Sequence, residues 1–306
     1  MPEEQWLPSR VAGVARASVV LAAAVAFGGA IWVSSSLAHA VVTRTVAPTL
    51  VVTTGRPAHA QAKIGSKQHL VVLGDSVAAG AGCNCPTYAD LLTARLATRS
   101  GQSATVTNAG QDGMTTTDLL SQLDDAALAR ALQTATVVTI TIGANDFDEG
   151  LAGRDDCAVG GATSCYGAPL AALPGLLHAV LNRIHQLTPA SAAVITTGYW
   201  NVFLDGDIGR QQGNNYVATS DALTRAVNAI IADQSAVTND RYADLYIPFE
   251  SQTQLGLTAL LATDGDHPSG QGHQLIADVV YDELGSVATA RQSKTSRPAH
   301  SGPGPR

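Results

Sequence analysis

From about residue 68 to residue 287, short and continuously apolar runs alternate with segments whose apolar residues recur at helical spacing. The runs are His69–Leu73, Ala104–Thr107, Thr136–Ile142, Ala192–Thr197 and Ala243–Ile247. They are too short for helices and mostly rich in β-branched side chains, so they predict strands. Between them, Pro86–Thr98, Thr117–Leu132, Leu170–Leu187, Tyr216–Gln234 and Ser269–Leu284 predict helices. The first of these carries Tyr88, Leu91, Leu92 and Leu96 behind a proline, and the third stops at Thr188-Pro189. Strands that are apolar throughout, and separated by helices, belong in a parallel sheet covered on both faces. The expected architecture is a three-layer α/β/α domain over residues 68–287, with a five-stranded parallel sheet. In such sheets the active site lies at the carboxyl ends of the strands.

The pattern is different at both ends of the chain. Residues 17–43 contain no Asp, Glu, Lys or Arg, and Arg10 and Arg16 precede them. The run closes on Ser34-Ser35-Ser36-Leu37-Ala38-His39-Ala40, which has the small-x-small form of a signal-peptidase site. Residues 1–40 therefore predict either a signal peptide cleaved near Ala40 or a retained N-terminal membrane anchor. Both place the catalytic domain outside the cytoplasm, with membrane contact only through that segment. Residues 41–67 show no clean period and are expected to be a linker. Residues 288–306, basic and rich in Pro, Gly and Ser, are expected to be a disordered tail.

Composition narrows the function. The net charge is −7 and the central region has no Lys/Arg cluster, which argues against nucleic acid as a partner. The four cysteines fit an exported chain with disulfides. Cys157 and Cys165 bracket a Gly-rich loop that a bridge would close. A Cys83–Cys85 bridge would make a tight ring, so a cross-link between the two loops stays open. A zinc site is the weaker alternative, because Cys-x-Cys lacks the usual two-residue gap and no histidine lies nearby.

Four segments carry candidate chemistry, each at the end of an expected strand. Gly74-Asp75-Ser76 puts a hydroxyl in a strand-to-helix turn, where backbone N–H groups can also hold an anion. In Asn108–Gly113, Gly110 can bring its N–H close to a substrate oxygen because no side chain intervenes. In Gly143-Ala144-Asn145-Asp146, the Asn145 amide can donate to a developing oxyanion. In Asp264-Gly265-Asp266-His267, an acid three residues before a histidine can accept its Nδ1–H and leave Nε2 free as a base. Asp266 is set aside because neighbouring side chains usually diverge. Each segment alone has a plainer explanation: a capping serine, a connecting turn, an Asx turn, or an acidic turn capped by Ser269. Metal ligation by Asp264, Asp266 and His267 is a further alternative. Together the four form a specific order of Ser, Gly, Asn and Asp-x-x-His.

That order resembles the SGNH/GDSL hydrolase superfamily over about 220 residues. Gly74-Asp75-Ser76, Asn108–Gly113, Gly143–Asp146 and Asp264–His267 resemble its successive sequence blocks. The resemblance implies a flavodoxin-like strand order, Ser76 as nucleophile, and His267 as base oriented by Asp264. It also implies an oxyanion hole of Ser76 N–H, Gly110 N–H and the Asn145 side chain. The leucine that usually follows the nucleophile is Val77 here. No metal or other cofactor is implied.

The expected function is hydrolysis of carboxylic esters, with a small-molecule, lipid or glycan ester as substrate. Tyr199, Trp200 and Phe203 follow the fourth strand and are candidates for lining the substrate pocket. The absence of a long apolar lid argues for short acyl groups. The alternative from another class is a catalytically silent domain that binds cell-envelope glycans. A flavin or nucleotide binder would need phosphate-cradling loops that the Gly-rich elements here do not form. Oligomeric state is left open.

Overall fold

Leu70, Val71, Val72 and Leu73 are all fully buried. Consecutive side chains on a strand point to opposite faces, so four in a row can be buried only if both faces are covered. The computed structural model describes residues 42–46, 67–154, 157, 165–201 and 203–295, with side chains of the last helix up to residue 285. The expected export segment (1–40) and residues 296–306 of the expected tail lie outside the described residues.

The sheet has six strands: β1 Val42–Val46, β2 Gln68–Gly74, β3 Ala104–Asn108, β4 Val137–Thr141, β5 Ala193–Thr197 and β6 Arg241–Ala243. Their spatial order is β1-β3-β2-β4-β5-β6. The five strands β2 to β6 run parallel, with Leu70 opposite both Val106 and Val137, Val137 opposite Ala193, and Ile195 opposite Arg241. Taken alone they have the flavodoxin-like order, whose switch point lies between the first and third strands of the chain, here β2 and β4.

The sixth strand corrects the expected count. Val42-Thr-Arg-Thr-Val46 pairs antiparallel with β3 and forms an edge, inside the segment expected to be a linker. Its exposed middle and charged Arg44 suit an edge that must not recruit other chains.

The helices are α1 Ser76–Ala79, α2 Tyr88–Ser100, α3 Thr116–Gln122, α4 Ala126–Leu132, α5 Gly167–Leu187, α6 Gly206–Gln211, α7 Asn214–Thr238, α8 Tyr246–Glu250, α9 Gln254–Leu260 and α10 Gly270–Thr295. α2 packs with α10 in one layer, while α3, α5 and α7 form the other. Side-chain caps explain where three boundaries differ from the pattern. Asp125 accepts the N–H groups of Ala127 and Leu128, both at 2.8 Å, so the stretch expected as one helix starts afresh at Ala126. Thr87 and Asp90 form a reciprocal capping box that begins α2 at Tyr88. Asp244 accepts from Tyr246 N–H at 2.9 Å, turning the far end of the expected fifth strand into α8. At the other terminus α10 continues to Thr295, past Ala288, because residues 286–295 include neither proline nor glycine. Among the described residues no helix is long and apolar enough to cross a membrane.

Candidate active site

The carboxyl ends of β2 and β4 meet at Gly74. A Cβ on that residue would lie 1.8 Å from the Thr141 carbonyl oxygen, and its φ is +127°. Only glycine fits this crossing. Asp75 then donates its N–H to Thr141 O at 2.9 Å, and the chain turns directly into α1. Asp75 caps that helix by accepting from Val77 N–H at 3.0 Å, while its other oxygen accepts from the Tyr199 hydroxyl. Ser76 is thus the first residue of α1, partly exposed above the sheet. Neither its Oγ nor its N–H has a hydrogen-bond partner among the described residues.

The turn after β3 is tied to the carboxyl end of β2. Ala109 and Gln111 donate to Val72 O at 2.8 Å and Gly74 O at 2.9 Å. Gly110 packs against α1, where a Cβ would approach Ala79 N to 2.5 Å. Its N–H donates to Asn108 Oδ1 at 2.9 Å, and Asn108 Nδ2 donates in turn to Ala78 O at 2.8 Å. In this structure the Gly110 N–H, expected to meet a substrate oxygen, is instead bonded to Asn108. Gly113, exposed at the tip of the same turn with φ +72°, has no partner for its N–H among the described residues. An Asp-Gly pair at a turn tip was the sequence signal for it. The turn also contacts the end of β4. Asn145 Nδ2 donates to Met114 O at 3.1 Å, and Asp146 accepts from Thr116 N–H at 3.0 Å and Thr116 Oγ1 at 2.8 Å. The other proton of the Asn145 amide has no partner among the described residues.

The histidine loop connects α9 to α10. His267 Nδ1–H donates to Asp264 Oδ2 at 2.9 Å, and Asp264 Oδ1 accepts from the N–H groups of Asp266 (3.0 Å) and His267 (3.1 Å). Asp266 approaches Nδ1 only to 3.8 Å. Burial acts to raise Asp264, but these hydrogen bonds and the His267 charge outweigh it and hold its carboxyl below the usual range. Burial also acts to lower His267. The Asp264 hydrogen bond and the charges of Asp266, Asp264 and Asp112 outweigh this and raise it. The loop is fixed by Asp205 N–H, which donates to Gly265 O at 2.8 Å, and by Trp200 Nε1, which donates to Asp266 O at 3.2 Å. It also presses on the loop after α1, where a Cβ on Gly82 would come 2.5 Å from His267 Cβ. His267 Nε2 makes no hydrogen bond to the described residues, Ser76 Oγ included.

A cavity of about 90 Å³ opens at Ser76. Asn145, Phe147, Tyr199, Trp200 and Phe203 line it, with Glu149 and Asp266 at its polar side. The three aromatic candidates thus border the site, yet they are nearly fully buried and carry structure as well. Trp200 stacks on Phe249 with ring centroids 4.5 Å apart. Phe147 and Glu149 had no signal in the sequence beyond their place after β4. A larger hollow of about 900 Å³ lies by Ser191, Asn239 and Arg241, beside the amino ends of β5 and β6 and away from Ser76. The cysteines pair as Cys83 with Cys85 and Cys157 with Cys165, without a cross-link between the loops.

A model of the GDSL-like lipase/acylhydrolase family matches residues 72–275, more than half of the chain and every segment just described. The chain belongs to this family. Its fold is shared by solved acylhydrolases of low sequence identity. A lipase from a goat rumen metagenome is 15% identical, with a TM-score of 0.57 over 71% of this chain and 97% of that one. Phospholipase A1 from Streptomyces albidoflavus is 21% identical, with a TM-score of 0.52 over 71% and 100%. An acetylxylan esterase from Geobacillus stearothermophilus, crystallised as a catalytic mutant, is 19% identical, with a TM-score of 0.51 over 73% and 97%. No curated protein matches the sequence. As a GDSL acylhydrolase the chain acts on esters, and its fold places Ser76, Asn145 and the His267 loop at one edge of the sheet.

Proposed function

We propose that this GDSL acylhydrolase is a serine esterase that cleaves carboxylic esters of short acyl groups through an acyl-enzyme on Ser76. The observation that carries the reading is the His267–Asp264 hydrogen bond on a loop packed against the segment that follows Ser76. Ser76 Oγ attacks the ester carbonyl carbon as His267 Nε2 takes its proton. The oxyanion is met by Ser76 N–H, Gly113 N–H and the free proton of Asn145 Nδ2. Collapse breaks the bond to the alcohol, which leaves with the proton from His267. Water, deprotonated by the same imidazole, then releases the acid and restores Ser76. Asp264 orients the ring and stabilises its charged form.

The size of the acyl group follows from the cavity. Ligand pockets usually run to about 300–1,000 Å³, and about 90 Å³ bordered by buried aromatics suits acetyl or similarly short chains. We also place the enzyme outside the cytoplasm, supported by the uncharged N-terminal segment and the paired cysteines.

Hydrolysis of p-nitrophenyl esters of increasing chain length, alongside acetylated sugars, tests the reading. The Ser76→Ala variant should be inactive while keeping its circular dichroism spectrum, and a fluorophosphonate probe should label only the wild type. Activity retained in Ser76→Ala would overturn the assignment.

A further inference from the structure

The Cys-x-Cys pair plays no part in the chemistry above, yet the fold seats it against the histidine loop. Cys83 and Cys85 lie between α1 and α2 with their sulfurs bonded and their Cα atoms 5.3 Å apart. The segment touches the histidine loop at one point and the start of α10 at another. At Gly82 (φ +73°), a Cβ would come 2.5 Å from His267 Cβ and 3.0 Å from Asp264 Oδ2. At Gly270, the first residue of α10, a Cβ would lie 3.7 Å from both Cβ and Sγ of Cys85. A third contact comes from α10 itself. The sequence shows no histidine near the cysteines, but the fold brings a ring nitrogen of fully buried His273 within 4.8 Å of both sulfurs. His273 Nδ1 accepts from Tyr88 N–H at 3.2 Å, which ties α10 to the start of α2 just after the bridge.

A bridge spanning one intervening residue gains little from loop closure, since that gain grows with the length of the closed segment. Its contribution is therefore local: it fixes the chain direction between Gly82 and the start of α2. Both cysteines are partly exposed, so a dithiol in solution can reach them.

We propose that the Cys83–Cys85 bridge is a reducible brace that keeps Gly82 against the His267–Asp264 pair and so positions the base for Ser76. The inference rests on the serine-esterase reading above. The opening step is thiol–disulfide exchange with an external dithiol. One thiolate of the dithiol attacks a bridge sulfur and forms a mixed disulfide, releasing the other cysteine as a thiolate. The second thiol of the reagent, as thiolate, then displaces the remaining cysteine. The chain gains two electrons and two protons to become a dithiol, and the reagent leaves as a disulfide. With the ring open, Gly82 is no longer held under the imidazole.

The test compares the full chain before and after treatment with excess dithiol, in a C157S/C165S background so that only one bridge responds. Alkylation and mass spectrometry count the opened cysteines. Reduction should lower kcat about ten- to hundredfold, the scale of a slightly displaced catalytic group, with KM nearly unchanged and recovery on reoxidation. The C83S/C85S variant should show the same loss and no further response to dithiol. If that variant fails to fold, reversible reduction of the folded protein decides alone. An NMR titration of the His267 ring in an S76A background reads positioning without turnover. Its pKa should fall toward that of a free imidazole when the bridge opens. A bridge that resists dithiol, or either readout staying fixed after it opens, overturns the proposal. If Ser76 proves dispensable for activity, the esterase reading fails, while the His267 titration still reports on the brace.

Discussion

Tyr199 donates its hydroxyl proton to Asp75, the almost fully buried carboxylate that stands directly before Ser76. Burial pushes Asp75 from the ordinary carboxylate range up to about 7, despite the opposing hydrogen bonds from Tyr199 and Val77 and the charge of His267. A carboxyl whose folded pKa exceeds its unfolded one binds its proton more tightly in the native state. Its contribution to stability is fully present below about 4 and is lost as pH rises through about 7. Asp75→Asn can still accept from Val77 and meets the Tyr199 oxygen with an N–H, but it does not titrate. Melting curves from pH 4 to 8 should therefore show wild type losing stability relative to Asp75→Asn as pH rises. Tyr199→Phe removes a donor from the carboxylate and should cost about 1–3 kcal/mol, more at pH 8 than at pH 5. A larger cost at pH 5 would contradict this account.

Asp264 and Asp266 flank one imidazole but should differ sharply in effect. Asp264 holds His267 Nδ1 at 2.9 Å, whereas Asp266 stands at 3.8 Å with its backbone N–H bonded to Asp264. In the proposed mechanism neutral His267 is the base, so activity should rise as pH passes its ionisation, which the acidic neighbours raise above the ordinary value. Asp264→Asn should lower kcat by on the order of 10⁴, the loss typical when a triad acid is neutralised. It should also move the acid limb of the rate profile to lower pH. Asp266→Asn should move the limb the same way with a much smaller loss of kcat. Equal losses in the two variants would remove Asp264 from its role.

The layered fold was legible because its signals are local. Strands such as Val137–Thr141 are buried at every position, and unbroken apolar runs separated by helices allow few other arrangements. The candidate site was legible only as residue types at strand ends, since strand ends are where the chain must turn. Three features were hidden for different reasons. β1 has five residues, and only its pairing with β3 makes it a strand. Gly110 and Gly113 occur in one turn, and which N–H is free depends on where Asn108 points, a tertiary fact. The meeting of His273 with Cys83 and Cys85 joins segments far apart in sequence, and no periodicity carries such a contact.

The proposed oxyanion donors can be tested by two substitutions. Asn145→Ala removes a side-chain donor and should reduce kcat about 10²- to 10³-fold, with KM little changed. Asn108 instead serves the fold, bonding Gly110 N–H and Ala78 O at 2.9 and 2.8 Å. Asn108→Ala should destabilise by about 1–3 kcal/mol through those two unpaired groups, while the folded fraction keeps most of its kcat. Denaturant unfolding and steady-state kinetics on the same samples distinguish the two. A collapse of kcat in folded Asn108→Ala would return Gly110 to the oxyanion site.

Chain-length preference should be set by Phe203, which is almost buried at the edge of the cavity beside Ser76. Replacing it with alanine removes an aromatic wall and should cost about 3–5 kcal/mol of stability, so the comparison belongs at low temperature. In the wild type, kcat/KM for p-nitrophenyl esters should fall once the acyl chain outgrows the cavity. Each methylene that a pocket accepts or refuses is worth about 1–3 kcal/mol, so opening the wall should shift the optimum toward longer chains by one or two carbons. The acetyl ester should lose rate in the same variant, because its methyl group then has a void instead of a ring to pack against. If both esters lose rate by the same factor, the acyl chain does not lie against Phe203, and the cavity would instead receive the alcohol side of the ester.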